Sequence, residues 1–141
     1  MIGIVIVAHG GLAREYLSAV EHVVGPQTAV RAITMEEDHD RADKQNEICD
    51  AANAVDDGNG VVIVTDLFGS SPSNLSIPAC AQRHGMILYG VNLPMLVKLA
   101  KSRHLPIAQA VALARDAGRK YINSYDLSLN EEPEDLRQAV R

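Results

Sequence analysis

Tryptophan is absent from the 141 residues, and Phe68 is the only phenylalanine. Aromatic stacking platforms for bases are therefore not expected. Positive charge is also short: 13 Lys and Arg face 18 Asp and Glu, for a net charge of −5. General nucleic-acid binding needs a basic footprint and is disfavoured. The two cysteines, Cys49 and Cys80, are far apart and form no CxxC pair. Two reduced thiols in a cytoplasmic protein are the expectation. No run of 18 apolar residues occurs, so nothing is expected to enter a membrane. The first residues lack the basic start and cleavage site of a signal peptide, which again points to the cytoplasm. Missing too are the Gly-x-Ser-x-Gly elbow of serine hydrolases and the phosphate loop ending in Gly-Lys-Ser or Gly-Lys-Thr. His22, His39, His84 and His104 sit in different segments without ligand spacing, so neither a metal nor another cofactor is expected.

What is present alternates between strand and helix. Apolar residues make up 47% of the chain, enough for one domain with its own core. Residues 2–8 form an apolar, β-branched run. Leu12, Tyr16, Leu17, Val20, Val23 and Val24 then recur at helical spacing, until Gly25-Pro26 stops them. A short strand fits residues 29–34, a polar loop 35–40 and a helix 41–55. The cluster Asp56-Asp57-Gly58-Asn59-Gly60 marks a turn. Residues 61–65 read as a buried strand, and a helix follows to about residue 83, ending at His84-Gly85. Pro78 falls within that helix and predicts a kink or an early end. A strand over 86–90 and helices from Asn92 to Lys101 and over 106–121 complete the core. In the tail, over residues 122–141, Tyr125, Leu127 and Leu129 alternate with polar residues, as in a half-buried strand.

Strands that are apolar on both faces suit the middle of a parallel sheet. The pattern predicts an α/β, doubly wound sheet of order 2-1-3-4 with helices on both faces. In that order the first and third strands are neighbours, and their C-terminal ends meet where open α/β sheets bind ligands. His9 ends the first strand and Asp66 the third. A carboxylate beside an imidazole fixes its tautomer and leaves the other nitrogen as a nucleophile. Gly10 and Gly11 leave room for a second molecule. Ser70, Ser71 and the amides after Pro72 form a candidate anion cradle. A histidine nucleophile beside such a cradle describes phosphoryl transfer, which needs mainly positioning and charge neutralisation. Blander roles remain open at this point. Asp66 could cap its turn, and Ser71 before Pro72 could be an N-cap.

These residues resemble a family. The start Ile4-Val5-Ile6-Val7-Ala8-His9-Gly10 is similar to the active-site strand of the IIA component of the mannose-type bacterial sugar phosphotransferase system. Val64-Thr65-Asp66-Leu67-Phe68-Gly69-Ser70-Ser71-Pro72-Ser73-Asn74 resembles its second motif, and Gly90-Val91-Asn92-Leu93-Pro94-Met95-Leu96 a third. Phe68, Ser70 and Pro78 depart from the usual pattern. The resemblance implies a cytoplasmic phosphocarrier in sugar uptake or a regulatory phosphorelay. His9 would accept a phosphoryl group from the histidine-bearing phosphocarrier protein and pass it to a IIB component. Asp66 would orient His9, and Gly10, Ser70 and Ser71 would hold the phosphate. The resemblance also implies a homodimer in which the C-terminal strand is antiparallel and exchanged between subunits. Two alternatives stand beside it: the phosphotransfer subunit of a dihydroxyacetone kinase, and a flavodoxin-like module that binds a phosphorylated ligand without reacting.

Overall fold

The computed structural model describes residues 1–67, 74–78 and 84–129. Four strands alternate with helices: β1 (Gly3–His9), α1 (Leu12–Val24), β2 (Val30–Met35), α2 (Arg41–Val55), β3 (Val61–Thr65), β4 (Gly85–Tyr89), α3 (Leu93–Lys101) and α4 (Ile107–Lys120). Residues 74–78 are helical as well. The strands form one parallel sheet of order β2-β1-β3-β4.

The two-residue period of a strand explains why β1 and β3 are apolar throughout. Ile4, Ile6, Val62 and Val64 point to one face, where α1, α3 and α4 bury them with Val20, Leu99 and Ala114. Val5, Val7, Val61 and Ile63 point to the other, against Ile48, Ala52 and Val55 of α2 and against Leu75. Residue size sets how closely the layers approach. A Cβ on Gly3 would collide with the Val55 carbonyl, so only glycine lets the end of α2 lie on β1.

Side-chain caps fix where α2 and α3 begin. Asp40 accepts from the Asp43 N–H at 2.9 Å at the start of α2. Asn92 does the same for α3, accepting from the Met95 N–H at 3.0 Å, as its side chain permits. The amide of Asn92 also donates to the Gly118 carbonyl at 3.0 Å, which ties α3 to α4.

Two local expectations change, and the tail is described within a single chain only. Met35 closes β2 as a buried residue instead of opening the loop, because it pairs with His9 and its carbonyl accepts from Gly10. β4 begins at Gly85, one residue earlier than expected: the His84 carbonyl accepts from the Val61 N–H at 3.1 Å, and Gly85 pairs with Val61. The described part of the tail holds no strand within this chain. Residues 122–126 are irregular and Leu127–Leu129 form a 3-10 turn, entered where Asp126 Oδ1 accepts from the Ser128 N–H and hydroxyl. Pro78 is itself helical; the expected stretch to residue 83 lies outside the described residues.

Candidate active site

Register places the site. Val7 pairs with Thr65 across the two central strands. His9 and Asp66 therefore leave the sheet at the same C-terminal edge. Asp66 Oδ2 accepts from the His9 N–H at 3.0 Å and lies 2.8 Å from His9 Nδ1. Asp66 Oδ1 accepts from the Leu67 N–H at 2.9 Å. The Asp66 side chain is 14% exposed and that of His9 50%, so the carboxylate lies below and the imidazole reaches solvent. Burial pushes the Asp66 carboxyl up, but the His9 N–H, the His9 ring and the Leu67 N–H outweigh it and hold it below the usual range. A carboxylate only accepts, so the proton of the pair sits on Nδ1. Nε2 is then the ring nitrogen that keeps a lone pair for chemistry.

The surroundings of His9 are spacious. Gly10 has φ +56, and a Cβ there would meet nothing within 4 Å. Its N–H is already donated to the Met35 carbonyl at 3.0 Å, so Gly10 offers a ligand space and not an amide. Gly11 precedes α1, and no side chain caps that helix. A cleft of about 620 Å³ opens here, lined by His9, Gly10, Gly11, Thr34, Met35, Glu36, Glu37 and His39. Ser70 and Ser71, the other expected phosphate ligands, lie outside the described residues, as do Phe68 and Cys80.

Lys44 escaped the sequence reading. It is buried in α2, and its ammonium donates to the Thr34 carbonyl at 2.8 Å, to Glu47 at 2.7 Å and to Glu36 at 3.2 Å. Burial works against the charge, yet the Glu47 and Glu36 carboxylates outweigh it and hold the ammonium above its ordinary range. Lys44 thereby fixes the β2 wall of the cleft. A basic residue within the first turns of α2 gave no hint of this, because one of its partners is a main-chain carbonyl.

The other histidines are dispersed. His39 lines the same cleft, with Nδ1 2.7 Å from the Glu36 carbonyl. His22 is exposed on α1, and His84 and His104 are exposed in loops. Among the described residues, no three His, Cys, Asp or Glu side chains are grouped to hold a metal. No described helix is long and apolar enough to cross a membrane.

Comparison with known proteins gives this arrangement a context. Residues 3–114 match the family model EIIA-man, described as the PTS system fructose IIA component. The PTS system mannose-specific EIIAB component of Escherichia coli K12 is 30% identical over 130 residues, covering 87% of this chain and 39% of the relative. The chain thus spans about two-fifths of that relative's length. The crystal structure of phosphotransferase system component EIIA from Streptococcus agalactiae superposes with a TM-score of 0.76 at 28% identity, over 92% of this chain and 99% of that one. The mannose/sorbose specific IIA subunit from Enterococcus faecalis reaches 0.80 at 20% identity, over 94% and 96% of the two chains; at that identity the likeness speaks for the fold.

Proposed function

The chain belongs to the mannose-type IIA family of the phosphotransferase system, and on that premise we propose that His9 is its phosphoryl carrier. The observation that carries the reading is the 2.8 Å contact between His9 Nδ1 and Asp66, which reserves Nε2 for phosphorus. In the first step the lone pair of Nε2 attacks the phosphoryl group of a phosphohistidine donor. The donor's N–P bond breaks, its electron pair returns to the donor ring, and a new Nε2–P bond forms. His9 keeps its Nδ1 proton, so its ring becomes cationic, and the Asp66 carboxylate offsets that charge. In the second step the acceptor's nucleophile takes the phosphoryl group, and the Nε2–P pair returns to His9. The space beside Gly10 admits the phosphoryl oxygens. Ser70, Ser71 and main-chain amides hold them.

The donor is the histidine-bearing phosphocarrier protein and the acceptor a IIB component, in sugar uptake or a regulatory relay within the cytoplasm. Exposed apolar groups at the sheet edge support protein partners: Leu12, Leu67 and Tyr89 all lie near the C-terminal strand ends. A homodimer is part of the same proposal. Tyr121, Ile122, Tyr125 and Leu127 are exposed in the single chain, and Tyr121 lines an apolar groove of about 280 Å³ with Val23, Leu93, Pro94, Val97 and Lys98.

Intact-mass analysis after incubation with phosphoenolpyruvate, the first enzyme of the system and the phosphocarrier tests the carrier role. The expected gain is one acid-labile phosphate, absent from His9→Ala. An unchanged mass with competent donors, or phosphate on another histidine, overturns it.

A further inference from the structure

The edge of the sheet opposite His9 holds a cation with an unusual set of partners. Arg103, in the turn between α3 and α4, is 4% exposed. Its Nε–H donates to the Ile2 carbonyl at 2.8 Å, its Nη1 to the Thr28 carbonyl at 2.7 Å and to Gln27 Oε1 at 3.3 Å, and its Nη2 to the Ala29 carbonyl at 2.9 Å. A guanidinium carries five N–H donors, so one hydrogen on Nη2 has no acceptor among these. Every acceptor is neutral. Carbonyls satisfy the hydrogen bonds but do not cancel the charge, and buried charges are ordinarily paired. The carboxylate that Arg103 feels, Asp57, is bound instead to the Met1 amine at 2.6 Å. Burial lowers the pKa of the guanidinium and Asp57 only partly opposes it.

Beside this cation lies a pocket of about 330 Å³, lined by Met1, Pro26, Gln27, Thr28, Ala100, Arg103 and His104. Its lining includes the Arg103 guanidinium and a histidine but no carboxylate, and Asp57 beyond it is taken up by the Met1 amine. Glu21, which accepts from the Gln27 N–H at 2.8 Å, is not among the lining residues.

The geometry points to a second binding site here, one that takes a small oxyanion against Arg103, between Thr28 and His104. The anion supplies the counter-charge that the carbonyls cannot, and the Thr28 hydroxyl and His104 ring are further donors on the rim. A bound anion would also draw together the N-terminal ends of β1 and β2 and the end of α3. The site does not depend on the carrier role of His9.

The test uses the His9→Ala full chain, so that a phosphate site near His9 contributes no imidazole. Inorganic phosphate is titrated at constant ionic strength while backbone amide resonances are followed. Saturable shifts confined to Thr28, Ala29, Arg103 and His104 are expected. Arg103→Lys should weaken them by about tenfold or more, the size of one hydrogen bond to a charged group. Arg103→Lys also loosens the sheet edge, so Ala100→Leu, which fills the pocket and leaves the guanidinium bonds in place, is the cleaner variant and should abolish them. Acetate titrated in parallel separates the ligand types: saturation by phosphate alone assigns a tetrahedral oxyanion, and equal saturation by acetate assigns a carboxylate. No saturable shift with either, or shifts that survive Ala100→Leu undiminished, overturns the site and shows Arg103 to be a structural tie only.

Discussion

One oxygen of Asp66, Oδ2, serves both the backbone N–H and the ring Nδ1 of His9, at 3.0 and 2.8 Å. The main-chain bond fixes where His9 leaves β1, and the ring bond fixes the imidazole on that backbone. Position and tautomer therefore share one acceptor, and a change at Asp66 disturbs both.

Asp66→Asn should fold and transfer slowly. The amide can still accept one hydrogen bond but carries no charge to offset the phosphorylated ring. A hydrogen bond to a charged group is worth about 1.5–3 kcal/mol, so transfer should fall by roughly 10- to 150-fold. Rapid-quench mass spectrometry measures this. Wild-type rates in the variant would reduce Asp66 to a loop tie. Ser71→Ala should cost less, because main-chain amides remain.

The same carboxylate gives a pH signature. Its folded-state pKa lies below the ordinary value of 3.8, so the unfolded chain binds more protons in that range. Its contribution to stability is complete above pH 3.8 and is lost as pH falls from there through the folded-state pKa. Urea unfolding of wild type and Asp66→Asn should show a gap at neutral pH that closes in acid. A gap that widens on acidification would contradict the shift.

Gly3 and Gly11 make a contrasting pair. Gly3→Ala drives a methyl into the Val55 carbonyl, and overpacking of this kind costs about 1–3 kcal/mol. Gly11→Ala meets no atom within 4 Å and should stay within about 0.5 kcal/mol of wild type. Denaturant midpoints decide, and equal midpoints for the two would show that α2 can withdraw from β1.

Chains ending at Ser124 should be monomeric while the full chain dimerises. Truncation removes Tyr125, Leu127 and the residues beyond them, which the proposed dimer buries. Sedimentation equilibrium at tens of micromolar separates the cases. A monomeric full chain, or a dimer that survives truncation, rules out a tail-mediated interface.

Much of the sheet was legible because the strands announce themselves by residue type. Val61–Thr65 and Arg41–Val55 have the expected bounds: the strand is an unbroken β-branched run, and the helix lies between an aspartate cap and an acidic turn. The meeting of His9 with Asp66 followed from strand order, since both end neighbouring parallel strands. Arg103 and Lys44 were invisible for a common reason. Their main-chain partners are carbonyls, which every residue owns, so no side-chain pattern marks them. The tail is a different case, because its expected strand pairs with a second copy of the chain. Its alternation suits such a strand, and in the single chain the local bonds of Asp126 to Ser128 hold residues 127–129 in a turn. Ser70 and Ser71 remain legible only through the motif that contains them.

On the proposed carrier role, His9 with Nδ1 held against Asp66 offers Nε2 as its phosphoryl-bearing nitrogen. A donor and an acceptor that each need bonding distance to that nitrogen cannot occupy it together. Under that proposal loading and unloading alternate, as at a turnstile. Raising the concentration of either macromolecule alone should eventually slow relay through the chain, because each then blocks the other's turn.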